Sequence, residues 1–78
     1  MEHKIKEIMA SVFEVPVDSL PDSFEQSDIE SWDSLHHLNL IVELESAFDI
    51  SYEPEEIGEM NSFEKVVNYT KEKVNQNA

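Results

Sequence analysis

Apolar residues recur at helical spacing in the first part of the chain. They follow the spacing i, i+3, i+4, i+7 and i+8, which is typical of one apolar stripe along a helix. These residues are Ile5, Ile8, Met9, Val12 and Phe13. The pattern predicts a first helix from Glu2 to Phe13, with its stripe in the core.

The helical period is then interrupted until about Ser31. Pro16 and Pro21 lie in a stretch rich in aspartate and serine, which predicts a long loop. A loop of this length in a small domain is usually held by buried side chains or has a function. The apolar residues available to anchor it are Val17, Leu20, Phe24, Ile29 and Trp32. We interpret Trp32 as loop packing, with a partner contact as the alternative.

A second helix is predicted from Ser34 to Phe48, with Asp33 or Ser34 as its cap. At about 100° per residue, one arc forms the predicted core face: Leu40, Ile41, Leu44, Ala47 and Phe48. A second apolar group lies on the other side of Ser34: Leu35, Leu38 and Val42. Two interpretations stay open: this wide arc meets a partner or an exchangeable group, or the helix is central and packed on several sides.

Two further helices complete the predicted fold. Pro54-Glu55-Glu56 favours the start of a short helix that ends near Gly58 or Met60. A cap at Asn61 with Glu64 three positions later predicts the last helix, and residues 75–78 are expected to fray. Its apolar face contains Phe63, Val66, Val67, Thr70 and Val74. The predicted fold is all-α, a four-helix bundle with three main helices, one short helix and a long loop between helices one and two.

Composition narrows the range of functions. The chain has 78 residues, no cysteine and a formal charge of -13, from eighteen acidic and five basic residues. Such a charge repels nucleic acid and favours partners with basic docking faces. Without a thiolate, a signal peptide or a membrane-length apolar stretch, we expect one domain over residues 1–78, a cytoplasmic monomer with no membrane partner.

No catalytic or metal-binding motif is apparent. Asp33, Ser34 and His37 lack the Gly-x-Ser-x-Gly context of a hydrolase, so no catalytic residue is predicted. The acidic stretch of residues 22–33 has Ser27 where a calcium loop needs glycine, so no metal site is predicted either. His36 is expected to be exposed to solvent and His37 to contact a partner.

Ser34 is the candidate for chemistry of another kind. At a helix N-terminus, free N–H groups and the helix dipole would favour a phosphodiester on its hydroxyl, although a serine there is often only a cap. The wider pattern comprises Asp33-Ser34-Leu35, a helix ending in Phe48-Asp49, the short helix at Pro54 and a final amphipathic helix. Over essentially the whole chain, this pattern resembles the acyl carrier proteins.

The resemblance implies that a phosphopantetheinyl transferase attaches 4'-phosphopantetheine from coenzyme A to Ser34. The chain would then carry acyl thioesters without catalysing a reaction, and its partners would be acyl-transferring or condensing enzymes with basic faces. Asp33 would help to present Ser34 to the transferase and its magnesium, and Leu35 would be an apolar docking contact. Further candidates for docking are Val42, Glu43, Glu45 and Met60, and Met60 with Ile57 also resembles residues that line a route from the arm to the core.

Some residues depart from the pattern of the fatty acid carriers. His36 and Asn39 lie where those carriers usually have acidic residues, and Trp32 replaces a small residue. This favours a specialised acyl pathway over general fatty acid synthesis, with polyketide, lipid-A-like and aminoacyl cargoes open. The alternative function is an acidic helical protein-interaction module with no prosthetic group.

Overall fold

The computed structural model describes residues 1–77 and contains four α-helices. They are α1 (Glu2–Phe13), α2 (Ser34–Phe48), α3 (Pro54–Glu59) and α4 (Phe63–Asn77). Two short 3-10 turns interrupt the loop between α1 and α2, and the described residues form no β-strand, only an isolated bridge between Glu25 and Ser62. The predicted all-α fold, with three long helices and one short helix, is confirmed.

Local capping explains where the helices begin and end. α1 and α2 are followed by Glu14 and Asp49 in the left-handed conformation, with φ of 58° and 55°, and their N–H groups bond to carbonyls of the last turn. The Ser62 hydroxyl caps α4 by accepting from the N–H of Lys65 at 3.2 Å, so the cap predicted at Asn61 is wrong by one residue. α4 continues through residues 75–77, where fraying was expected, and Ala78 lies outside the described residues.

Aromatic side chains anchor the long loop to the core. Trp32 stacks on Phe13 with ring centroids 5.0 Å apart and meets the edge of Phe24 at 6.2 Å. Phe24 in turn stacks on Phe63 at 5.1 Å. Trp32 is almost fully buried in this cluster, so its interpretation as loop packing is confirmed. The cluster joins α1, the loop and α4 immediately before α2 begins.

Hydrogen bonds hold the same loop at both of its sides. The Ser31 hydroxyl donates to the carbonyl of Phe13 at 2.8 Å, at the end of α1. On the other side, the Phe63 N–H donates to the Phe24 carbonyl at 2.8 Å. The loop therefore has a defined path despite lacking regular structure, and this path fixes the position of residues 33 and 34.

Candidate functional site

Ser34 is the first residue of α2, and its side chain is exposed. The preceding residue, Asp33, is the cap, because its Oδ1 accepts the backbone N–H of His36 at 2.8 Å. Among residues 1–77, the Ser34 hydroxyl and the N–H groups of Ser34 and Leu35 have no hydrogen-bond partner. The helix start is therefore complete without the serine hydroxyl, which is left available for reaction.

The stretch of sequence around Ser34 is strongly acidic. All five lysines lie at positions 4, 6, 65, 71 and 73, so residues 7–64 contain no lysine or arginine, while they include all but two of the eighteen acidic residues. Two hydrogen bonds hold the pKa of Asp33, the residue before Ser34, below its ordinary value. The larger effect comes from the backbone N–H of His36 and the smaller one from the His36 ring. Asp33 is thus a fixed negative charge next to the serine.

An exposed apolar stripe runs along α2 from Ser34. Its members are Leu35, Leu38 and Val42, which are 65%, 56% and 61% exposed. The opposite arc is buried through Leu40, Ile41 and Leu44, as predicted. Ala47 is exposed, so its assignment to the core face is wrong: it lies at the edge of the arc, in the last turn, where packing no longer covers it. Among the described residues, α2 is therefore packed on one side only.

Leu38 was missing from the predicted docking residues. The signal was present, because Leu35, Leu38 and Val42 follow the spacing i, i+3 and i+7 that places side chains in one row. The structure places Leu35, Leu38 and Val42 in one exposed row on α2, and it places Asp33 at the cap directly before Ser34.

The two glutamates predicted for docking differ in position and in what they contact. Glu43 lies about 180° around α2 from Ser34 and lines a surface cavity with Lys4 and Glu7 of α1. Glu45 is half-buried, and its Oε2 accepts the backbone N–H of Tyr52 at 2.9 Å. This bond fixes the chain after α2, so the Glu45 carboxylate is already engaged within the fold.

Met60 lies in the core with no exposed surface. A docking role requires a side chain that a partner can touch, so the docking assignment of Met60 does not fit its position. Ile57, one turn earlier, is half-buried and packs against the same core.

His37 forms a structural link instead of the expected partner contact. Its Nδ1 accepts the indole N–H of Trp32 at 2.9 Å, and this leaves Nε2 to donate to the Ile57 carbonyl at 2.7 Å. One neutral imidazole therefore joins the loop before Ser34 to α2 and α3. The helical spacing places His37 at the edge of the predicted core face, but it could not show that the ring bonds to Trp32 and Ile57.

His36 is less exposed than predicted. Its side chain is only 24% exposed, because the ring lies between Asp33 and Glu14. Within residues 1–77, no three acidic or histidine side chains are arranged to hold a metal ion. No helix in that range is both long and apolar enough to cross a membrane.

Comparison with known proteins shows a similarity over nearly the full length of the chain. The acyl carrier protein of Buchnera aphidicola subsp. Schizaphis graminum is 30% identical to this chain over 73 residues. The matched region covers 94% of this chain and 92% of that protein. No protein-family model matches the chain.

Proposed function

The chain belongs to the acyl carrier protein family, and on that basis we propose that Ser34 carries a covalent 4'-phosphopantetheine arm derived from coenzyme A. The observation that supports this proposal is the exposed Ser34 hydroxyl, which is free of bonds within residues 1–77. The chain would be a single carrier domain that offers cargo to other enzymes and performs no turnover itself.

The first turn of α2 suits a phosphodiester on Ser34. The unpaired N–H groups of Ser34 and Leu35 lie at the positive end of the helix dipole, where an anion is favoured by about 0.3–1 kcal/mol at an exposed site. The surrounding carboxylates oppose it, but exposed charges more than about 8–10 Å away are largely screened at physiological salt. The local attraction therefore outweighs the distant repulsion, leaving Asp33 as the main opposing charge.

The attachment reaction balances with coenzyme A as the donor. Ser34 Oγ forms a bond to the phosphorus next to the pantetheine, and the phosphoanhydride bond of coenzyme A breaks. Adenosine 3',5'-bisphosphate leaves with the electron pair, and the hydroxyl proton passes to the phosphopantetheinyl transferase or to solvent. When bound, the arm supplies a terminal thiol that holds acyl groups as thioesters.

The exposed apolar stripe is the surface we propose for docking. Leu35, Leu38 and Val42 follow Ser34 on α2, within a stretch of sequence, residues 7–64, that has no lysine or arginine. An apolar centre with an acidic surround fits partners that present an apolar patch ringed by basic side chains. The transferase and the acyl-transferring or condensing enzymes would share this surface, because all of them must reach the same serine.

We propose a specialised acyl pathway for the cargo. The support is the presence of His36 and Asn39 where the fatty acid carriers usually have acidic residues, together with Trp32 in place of a small residue. Polyketide, lipid-A-like and aminoacyl cargoes each fit this proposal, and the mass of the thioester on protein from the native host would distinguish them.

Intact-mass spectrometry tests the attachment site. The purified chain is incubated with coenzyme A, magnesium and a broad-specificity transferase, beside Ser34→Ala and the control Ser46→Ala, which alters another exposed serine of α2. We expect the wild type and Ser46→Ala to gain one phosphopantetheine group and Ser34→Ala to gain none. If the wild type gains no mass, the chain is better explained as an acidic interaction module; a gain on Ser34→Ala would move the site elsewhere.

A further inference from the structure

The His36 ring is held beside Ser34 by the cap of α2. Its Nδ1 lies 2.7 Å from Asp33 Oδ1, the same oxygen that accepts the His36 backbone N–H at 2.8 Å. Two donors from one residue therefore converge on a single carboxylate oxygen. The side chain of Asp33 is otherwise 60% exposed, so without the ring only one backbone bond would restrain it.

The second ring nitrogen of His36 faces the end of α1. Nε2 lies 3.9 Å from Oε2 of Glu14, whose left-handed backbone conformation ends that helix. The ring thus fills the space between α1 and the first turn of α2, and this explains why it is mostly buried. Packing on one side and the Asp33 bond on the other leave the ring little freedom to turn.

In this arrangement the two carboxylate oxygens of Asp33 differ in their hydrogen bonds. Oδ1 is occupied by His36, while Oδ2 has no bond assigned within residues 1–77 and is free for a group brought by a partner. A carboxylate held in one rotamer presents that oxygen in a constant direction relative to the Ser34 hydroxyl. Such preorganisation lowers the entropy lost when reacting groups are aligned.

We propose that His36 is a positioning residue for the modification of Ser34: it holds Oδ1 of Asp33 and thereby directs Oδ2 towards the transferase that acts on the neighbouring serine. The inference rests on the proposed function of Ser34. His36 acts through Asp33 and touches neither coenzyme A nor the serine hydroxyl.

Two amide substitutions separate the two ring nitrogens. Asn places its amide nitrogen near the position of Nδ1, so His36→Asn retains a donor to Asp33. Gln places its amide group nearer to Nε2, so His36→Gln keeps a polar group towards Glu14 but has no donor at the position of Nδ1. His36→Ala removes both.

The rate of transfer from coenzyme A to each apo variant tests the proposal. A hydrogen bond to a charged group contributes a free energy that corresponds to about a tenfold change in an equilibrium constant, and we expect a rate that depends on the bond to fall by a similar factor. We expect kcat to fall about tenfold in His36→Ala and His36→Gln, with KM changed less than about twofold because the exposed apolar stripe is intact. His36→Asn should restore kcat. A change in KM alone, or an Asn variant as slow as the Ala variant, would overturn the proposal.

A second measurement is independent of transfer. Three-bond NMR couplings across χ1 of Asp33 report whether its side chain occupies one rotamer. We expect a single rotamer in the wild type and His36→Asn, and averaging in His36→Ala and His36→Gln, with thermal unfolding recorded to exclude a general loss of fold. If the wild type is modified at Ser34 and Asp33 averages equally in every protein, His36 has no positioning role although the carrier function stands. If the wild type is never modified, both proposals fail.

Discussion

The two faces of α2 carry similar apolar side chains but differ in what covers them. Leu40, Ile41 and Leu44 are buried, whereas Leu35, Leu38 and Val42 are more than half exposed. All six lie on one helix and differ little in helix propensity, so secondary structure does not explain the contrast. The buried face meets the rest of the core, and among residues 1–77 nothing covers the other. The exposed face is therefore not needed for folding, and a contiguous apolar surface of this kind marks a site of interaction.

Equal truncations on the two faces should give the largest contrast. Leu40 has no exposed surface, so Leu40→Ala loses buried contacts and leaves a cavity, at a cost of about 2–5 kcal/mol in the free energy of unfolding. Leu38→Ala, with the same atoms removed from the same helix, should change that free energy by less than about 0.5 kcal/mol. Urea denaturation measures both values. Similar losses in the two variants would mean that the exposed face is part of the core after all.

The buried side also contains a polar link whose removal should have an intermediate effect. Trp32→Phe keeps an aromatic ring in the cluster but removes the indole N–H, leaving Nδ1 of His37 without its donor. An unpaired, partly buried acceptor costs about 1–3 kcal/mol. We expect a loss of stability in this range by urea denaturation, and Trp32→Phe combined with His37→Leu should lose less than the sum of the two single variants. Strict additivity would show that the two side chains are not coupled.

Truncation of the exposed apolar stripe should weaken docking although it leaves stability nearly unchanged. Leu38→Ala removes the centre of the exposed apolar stripe, and truncation of an interface anchor typically costs about 1–2 kcal/mol, or roughly five- to thirtyfold in affinity. We expect the KM of the transferase for this variant to rise by such a factor while its kcat is retained. Ser46→Ala, at an exposed position of the same helix outside the stripe, is the control and should leave KM unchanged. An equal rise in both variants would argue against a specific contact at Leu38.

The smallest effect is expected at Ser34 itself. Since Asp33 provides the cap, Asp33→Ala should cost about 0.5–2 kcal/mol of stability, whereas Ser34→Ala should cost less than about 0.5 kcal/mol. Thermal unfolding of the two apo variants compares them directly. A larger loss from Ser34→Ala than from Asp33→Ala would return the serine to a structural role and weaken the separation of folding from function.

Local signals in the sequence were sufficient for the helices and for the position of the site. The predicted bounds of α1 and α2 agree with the structure because the apolar period and the capping residues act within a few positions of each other. The same signals place Ser34 at the start of α2. They also predicted which arc of α2 forms the core face. They could not show whether the second apolar group is covered as well, because that depends on helices far away in the sequence.

Polar contacts, too, could be predicted from the sequence only where the two residues are close together in the chain. Glu45 bonds to Tyr52 and His37 to Ile57, and neither pairing follows a helical spacing that the sequence could reveal. The burial of Met60 depends in the same way on packing against distant elements. By contrast, Asp33 and His36 are only three positions apart in the sequence, which is the spacing of one helical turn. Their contact could therefore have been anticipated.

Fragmentation mass spectrometry of the intact protein from its native host tests most directly whether Ser34 carries the arm. We expect the mass of a phosphopantetheine group, with or without an acyl group, on fragments that contain Ser34, and the acyl mass would identify the cargo. Protein that is unmodified in growing cells producing an active transferase, or that carries the added mass on another residue, would contradict this expectation.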